Sequence, residues 1–211
     1  MLLLLITAAL TSAVFADGET VTLGTGTIAV GSRVYFGNIL WRVLSDGTVP
    51  ENSPAVVQSG KALLISNDIL ERIQFNPDYT AANANQWQGS NAQTWCNNYY
   101  TNWTNDTNKT SAEKDAILAT TVEETNDQNA GFDYYYQGGH YNDYYGAAPL
   151  SDAFFFFLSA KEADELFTDD NDRKASGAGT SYWWLRSSDA DSSDGVGDVD
   201  NDGWVDIQQC R

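Results

Sequence analysis

The sequence predicts an α+β fold in which short helices pack on small, twisted antiparallel sheets joined by long loops. Three helix starts carry a capping box, in which Ser or Thr precedes Glu or Gln by three residues. These pairs are Ser90 with Gln93, Thr110 with Glu113, and Ser159 with Glu162. Short apolar runs interleave with these helices without the regular βαβ alternation of a doubly wound sheet. The pattern therefore favours segregated helices and antiparallel strands.

The first strands form a predicted hairpin. Apolar runs at residues 34–36 and 39–44 flank Gly37-Asn38, a dipeptide typical of tight hairpin turns. The next apolar run, Lys61–Ser66, is predicted to be a buried strand. It leads into residues 67–75, "NDILERIQF", which the spacing of the apolar residues predicts to be a short helix.

Two further strands are predicted in the second half of the chain, over residues 153–159 ("AFFFFLS") and 179–188 ("GTSYWWLRSS"). Within the latter, Trp183 and Trp184 should face opposite sides, because successive strand residues alternate. We expect Arg186, on the same strand, to pair with a buried acid rather than with a ligand.

The first 16 residues predict export. The segment "MLLLLITAALTSAVFA" is uncharged, is too short to span a bilayer, and ends in small residues suited to cleavage after Ala16. The alternative interpretation is a buried helix of the fold. Residues 1–16 are thus predicted to be a signal peptide, and residues 17–211 a single domain that is secreted or at the cell surface. No membrane span is expected in this mature chain.

The charge balance excludes several classes of partner. The chain has 29 acidic and 11 basic residues, for a formal net charge of −18. Such a charge repels nucleic acid and anionic lipid, so no nucleic-acid partner is expected. Aromatic residues make up 13% of the chain, which is too many for a disordered acidic polypeptide. The chain is therefore predicted to be a folded acidic domain.

The predicted compartment affects how the two cysteines are interpreted. In an oxidising compartment the even number suggests one disulfide between Cys96 and Cys210. Two free buried thiols are the alternative.

A tyrosine-rich segment is the first candidate binding region. Residues 126–150 fit neither helical nor strand periodicity and are predicted to be a long exposed loop. The candidate ligand-binding tyrosines are Tyr134, Tyr135, Tyr136, Tyr141, Tyr144 and Tyr145. Tyrosine among Asn and Gly is the chemistry of adaptable binding loops, and sugar rings stack on such side chains. We expect about half of these tyrosines to pack the loop itself.

The end of the chain, "DVDNDGWVDIQQCR", has the spacing of a calcium loop. The candidate metal ligands are Asp198, Asp200, Asp202 and Asp206. The twelfth position of the loop is neutral Gln209, and no helices flank the segment, so an EF-hand is excluded.

A hairpin accounts for the same residues better. A three-residue turn ending at Gly203 pairs Val199 with Val205 and sets Asp198 opposite Asp206. Opposed like charges cost stability. A weakly bound calcium ion, a basic surface of a partner, or screening by solvent would relieve the repulsion.

The order of the motifs resembles a family of exported bacterial domains of unknown function, series six-two-seven-three. The segments that carry the resemblance are "VYFGNILWRVL", "ALLIS", "WQGSNAQTWCNNYY", "SAEKDAIL", "FFFLSAKEADELF" and "YWWLRSS" before a glycine hairpin. The order is also similar to the wider C-type-lectin-like and formylglycine-enzyme-like group. This resemblance implies a C-type-lectin-like fold whose hairpins display a variable binding surface.

The resemblance also bears on the chain end and the cysteines. The family usually continues into a closing strand reading roughly Gly-Val-Arg-Pro-Ala, whereas this chain stops at "QQCR". Either "VDIQQC" serves as the closing strand or that strand is shortened. C-type-lectin-like domains commonly tie the first helix to the last strand, which implies a Cys96–Cys210 bond. The copper-binding cysteine pair of formylglycine-generating enzymes is not reproduced, so that activity is not carried over.

No catalytic constellation stands out, and no catalytic residue is assigned. The sole histidine, His140, lies in the tyrosine-rich segment without a nucleophile motif around it. We therefore expect an exported, non-enzymatic module that binds glycans or cell-surface proteins. Its binding surface would be the tyrosine-rich loop and the acidic hairpin with Trp204, and its only candidate cofactor is calcium. The alternative is a secreted hydrolase with a carboxylate pair that the sequence does not identify.

Overall fold

The structure is a computed structural model of the 211-residue chain. It describes residues 1, 3–7, 13–15, 20–21, 29–123, 130–136, 139–145 and 149–210. These residues form a mixed α+β fold with small antiparallel sheets and short helices, which confirms the predicted class.

The secondary-structure elements follow in chain order. The strands are β1 (Leu3–Thr7), β2 (Ala13–Phe15), β3 (Thr20–Val21), β4 (Arg33–Phe36), β5 (Ile39–Ser45), β6 (Lys61–Ser66), β7 (Ile117–Leu118), β8 (Thr120–Val122), β9 (Ala130–Tyr136), β10 (Gly139–Tyr145), β11 (Leu150–Ala153), β12 (Phe155–Phe156), β13 (Trp183–Ser188), β14 (Gly195–Val199) and β15 (Val205–Gln209). The helices are α1 (Asn91–Asn105), α2 (Ser111–Asp115), α3 (Ala160–Glu165) and α4 (Asp170–Arg173).

The main sheet contains eight of the described strands. Its order is β12-β1-β6-β5-β4-β2-β3, and β7 also pairs with β1. Strands β4 and β5 form the predicted hairpin, with Phe36 opposite Ile39. Gly37 and Asn38 have φ angles of 57° and 66°, the positive values that a type I′ turn requires at both central positions.

Aromatic rings fill the space between the main sheet and helix α1. Trp103 of α1 stacks on Phe36, with ring centroids 5.2 Å apart, and packs on Phe155 at 5.8 Å. A Cβ atom at Gly37 would overlap the Trp103 ring. The close approach of turn and helix therefore requires glycine at that position.

A fully buried ion pair joins strand β13 to helix α3. Two nitrogens of Arg186 donate to the two carboxylate oxygens of Glu162, at 2.5 and 2.6 Å. Glu162 also accepts the backbone N–H of Ser159 at 2.9 Å, which completes the predicted capping box of α3. The expectation that Arg186 pairs with a buried acid is confirmed.

The predicted acidic hairpin is present as β14 and β15. Val199 lies opposite Val205, and Asp198 lies opposite Asp206, as expected. Gly203 closes the turn with a φ of 88°. Together with β13, these strands form a three-stranded sheet in the order β13-β14-β15.

Helix α4 holds the turn of this hairpin. The buried guanidinium of Arg173 donates its Nε–H to the Gly203 carbonyl at 2.7 Å and pairs with Asp170. A Cβ atom at Gly203 would overlap the Asp170 carbonyl oxygen. The Arg173 carbonyl accepts the indole N–H of Trp183 at 3.2 Å. Helix, turn and strand β13 are thus fixed to one another.

The helix predicted over residues 67–75 is absent. This segment has no regular structure, because its backbone groups bond to distant segments. The Ile69 N–H donates to the Ser176 carbonyl at 3.1 Å, and the Ile73 carbonyl accepts from the indole of Trp184. Groups used in this way are not available for an i→i−4 helical ladder.

The long loop predicted over residues 126–150 is also wrong. Strands β9 and β10 lie within it and pair antiparallel, with Tyr136 opposite Gly139. Tyrosine favours extended strands, and the sequence places only Gln137-Gly138 between the two. Turn chemistry and strand propensity therefore outweigh the absence of a clear period.

The cysteines are free in the structure, and the predicted Cys96–Cys210 disulfide is absent. Cys96 lies on the buried face of α1. Cys210 is also buried, and its backbone bonds to Asn76 and Asp194. Burial raises the pKa of both thiols. Both side chains therefore act as small apolar core groups, which was the alternative interpretation.

The ion pair gives a first prediction. Glu162→Gln leaves the Arg186 charge buried without its counter-charge, and should lower the free energy of unfolding by about 3–5 kcal/mol. The control is Glu165→Gln on the same helix, whose partner Lys161 lies 3.7 Å away at the surface. That change should cost under about 1 kcal/mol. Urea unfolding measures both, and equal midpoints for the two variants would contradict the prediction.

The cysteines give a second prediction. In the native protein neither thiol should react with a disulfide reagent such as DTNB, because burial blocks access to the sulfur and disfavours the reactive thiolate. In denaturant, without reductant, both cysteines of the chain should react. A denatured protein with no reactive thiol would establish the disulfide instead.

Candidate binding cleft

A cleft of about 780 Å³ opens beside the irregular segment of residues 69–74. Strands β13 and β15 and helix α1 contribute its other walls. Aromatic and polar side chains line it, among them Trp95, Trp184, Tyr182, Glu71, Arg72 and Gln208. Its volume is typical of sites for small organic ligands.

Trp184 provides one aromatic wall. It is half-buried, whereas Trp183 is buried and packs on Phe167 at 6.3 Å, so the predicted alternation of the two tryptophans is confirmed. The Trp184 indole donates to the Ile73 carbonyl at 3.0 Å and meets Phe75 edge to face at 6.0 Å. The ring is therefore held in one orientation in the cleft.

Trp95 provides the second aromatic wall from helix α1. Its indole N–H donates to Oε2 of Glu71 at 2.7 Å. The ring also packs on Tyr99 at 5.2 Å and on Phe157 at 6.4 Å. The same hydrogen bond places the exposed Glu71 carboxylate at the cleft.

Exposed polar groups surround these rings. Arg72 supplies donors from the irregular segment, and Gln208 supplies an amide from β15. Tyr182 is 45% exposed, and its hydroxyl donates to Asn201 at 3.4 Å. The cleft therefore combines flat apolar surface with hydrogen-bonding groups of both kinds, as an amphipathic polar ligand requires.

The aspartates of the acidic hairpin have different roles. Asp198 is 1% exposed, lies opposite Trp184 in the β13–β14 ladder, and lines the cleft. Asp200 accepts the backbone N–H groups of Asp202 and Trp204 at 2.8 and 2.9 Å, so it stabilises the turn. Trp204 itself is half-buried.

The candidate calcium ligands are not gathered. Among the residues that the structure describes, no group of three or more His, Cys, Asp or Glu is placed to hold a metal ion. Asp198 lies within the ladder, whereas Asp202 is exposed at the turn. Asp206 accepts the N–H of Ile207 at 2.7 Å. Calcium binding at this hairpin stays a prediction.

The predicted ligand-binding tyrosines lie on β9 and β10. The register sets Tyr134 opposite Tyr141, Tyr135 opposite His140, Tyr136 opposite Gly139, Tyr144 opposite Gly131, and Tyr145 opposite Ala130. Their side chains lie outside the described part of the structure, so their binding role stays a prediction.

The cleft was not predicted from the sequence. The expected outward-facing tryptophan of strand β13 marks one of its walls. The other wall is the segment that was wrongly predicted to be a helix over residues 67–75, from which Glu71 accepts the indole N–H of Trp95.

Comparison with known proteins identifies one family. Searches of curated proteins and of solved structures found no match. Within the described residues, no helix is long and apolar enough to cross a membrane. The profile of the family described as "Domain of unknown function (DUF6273)" matches residues 59–211, which include the residues that line the cleft apart from Met1. The chain therefore belongs to the DUF6273 family.

Proposed function

We propose that the protein is an exported, non-enzymatic binding module with a C-type-lectin-like fold, and that its ligand is a glycan, free or on a cell-surface protein. The observation that carries this proposal is the cleft in which the rings of Trp95 and Trp184 stand beside exposed polar side chains.

The chemistry of the cleft suits a sugar. A sugar ring has a face of C–H groups, which packs on an indole ring, and a rim of hydroxyl groups that donate and accept hydrogen bonds. Glu71 offers an acceptor, Arg72 offers donors, and Gln208 offers both. These groups lie around the same cleft as the indole rings.

Preorganisation supports the same proposal. The indole N–H groups of Trp95 and Trp184 are already used by Glu71 and the Ile73 carbonyl. Both rings are therefore oriented before a ligand arrives, and little side-chain entropy is lost on binding. The tyrosines of β9 and β10 and Trp204 are proposed as further contacts for longer glycans.

The proposal that the protein is exported rests on the predicted signal peptide, residues 1–16, which we call the leader. Cleavage after Ala16 would release the domain to the outside of a bacterial cell or to its surface, where glycans are displayed. The formal net charge of −18 favours neutral or cationic ligands over anionic polymers.

A second candidate is a secreted hydrolase. It is favoured by two carboxylates that line the cleft, Glu71 and Asp198. Glu71 is exposed and Asp198 is buried, and a pair of carboxylates flanking the bond is what most glycoside hydrolysis requires.

Substitution of the cleft tryptophan tests the binding proposal. A glycan array identifies the ligand, and titration calorimetry then compares variants. Trp184→Ala should weaken binding by roughly thirtyfold, the loss of about 2 kcal/mol expected of a central aromatic contact. Trp184→Phe keeps a flat ring but loses the indole N–H that orients it, so its affinity should lie between those of the wild type and Trp184→Ala. The control is Tyr79→Ala, an exposed aromatic that is not among the cleft residues. Equal affinity for Trp184→Ala and Tyr79→Ala would refute the proposal.

A panel of glycosidase substrates separates the two candidates. We expect no turnover by the wild-type protein, and we expect Glu71→Gln to keep its fold because the amide oxygen still accepts from Trp95. Turnover by the wild type that is lost in both Glu71→Gln and Asp198→Asn would establish the hydrolase and exclude the binding module.

A further inference from the structure

Strand β1 lies inside the main sheet rather than at its edge. On one side it pairs with β6, from Leu3 opposite Ile65 to Thr7 opposite Lys61. On the other side, it pairs with β12 and with β7. Strand β1 therefore joins two parts of the sheet that do not pair with each other directly.

The position between these neighbours requires a strand. Residues 62–66 of β6 are all buried, and so are Phe155, Phe156 and Ile117 on the other side. These residues are buried with β1 in place. Without it, the backbone N–H and C=O groups that bond to β1 would lose those partners, and the apolar side chains beside them would lose their cover. Each unpaired group would cost about 1–3 kcal/mol. We call this position, between β6 and the neighbouring β12 and β7, the strand slot.

The residues that fill the strand slot belong to the predicted leader. Strand β1 ends at Thr7, and the proposed cleavage follows Ala16. Removal of the leader would therefore open the slot in the exported protein. The buried neighbours would then need another extended segment in its place.

Met1 lies two residues before strand β1. The α-amino group of Met1 is buried beside Cys96, and this burial lowers its pKa from the usual 8.0 to about 5. Below about pH 8 the group must give up its proton to stay buried, and the free-energy cost grows as the pH falls toward about 5.

We propose that the strand slot accepts an extended apolar segment of a partner polypeptide after the leader has been removed. The segment would contain about five apolar residues in a row, because β6 is buried on both of its faces. Addition of a partner strand to exposed backbone groups supplies affinity through main-chain hydrogen bonds. This inference rests on the proposed export and is independent of glycan binding.

The test uses the full chain with Leu5→Pro. Proline cannot donate to a ladder, so this change should displace β1 while the leader stays attached. A fluorescent peptide with the β1 sequence between lysines, KKLLLITKK, is then titrated and followed by anisotropy. Leu5→Pro should bind it at least about tenfold more tightly than the wild type, whose slot is filled. The matched control, Leu10→Pro, changes a leader residue outside β1 and should behave as the wild type does.

Hydrogen exchange provides a second readout. Amides of residues 61–66 should exchange at least roughly tenfold faster in Leu5→Pro, and the peptide should restore their protection. If Leu5→Pro does not fold, the peptide is added during refolding, and Leu5→Asn, which weakens β1 without removing a donor, is measured beside it. Equal stability of Leu5→Pro and Leu10→Pro, or failure of both Leu5 variants to take up the peptide, would overturn the proposal. Neither result depends on the glycan titrations.

Discussion

The buried ion pair between Arg186 and Glu162 is the interaction on which the second half of the molecule depends. Glu162 neutralises a fully buried guanidinium and also caps helix α3 through the Ser159 N–H. Backbone bonds run alongside it, from the Arg186 N–H to the Leu158 carbonyl at 2.8 Å and from the Ala160 N–H to Ser187 Oγ at 2.9 Å. Two buried charges are tolerated here because their geometry is bidentate and their remaining groups are hydrogen-bonded.

The position of the cleft follows from this arrangement. The ion pair anchors strand β13, whose two tryptophans face opposite sides, one toward the core and one into the cleft. The second wall is irregular because its backbone groups bond outward, to Ser176 and to the indole of Trp184. Within this irregular segment, Glu71 accepts the indole N–H of Trp95. The same side chains thus make structural bonds and line the cleft.

Two separate surfaces result from one fold. The cleft displays rigid rings and exposed polar groups, which suits a small ligand with apolar faces and hydroxyl groups. Once β1 is removed, the strand slot would display backbone hydrogen-bonding groups between apolar side chains, which would suit an extended polypeptide. The slot lies in the main sheet, whereas the cleft lies beside the three-stranded sheet. Met1, which precedes β1, and Phe157, which follows β12, both line the cleft. An exported module with both could hold a glycan while joined to another protein.

Local chemistry determined part of this structure from the sequence alone. The Gly37-Asn38 turn, the N-caps at Ser90, Thr110 and Ser159, and the hairpin that closes at Gly203 depend on neighbours within a few residues, so their patterns were sufficient. Only the capping box predicted at Ser90 is incomplete, because the Gln93 side chain accepts from the Gly89 N–H instead. The α+β class followed from the order of such elements.

Tertiary structure decided the rest, because the deciding partners are distant in sequence. Residues 67–75 are irregular since their bonds reach Ser176 and Trp184, which no local period records. The cysteines stay free because each is packed as an apolar core group, and an even count cannot reveal that. Sequence alternation predicted that one tryptophan of β13 would face outward. Only the packing of α1 and residues 69–74 against that strand made the exposed ring the wall of a cleft.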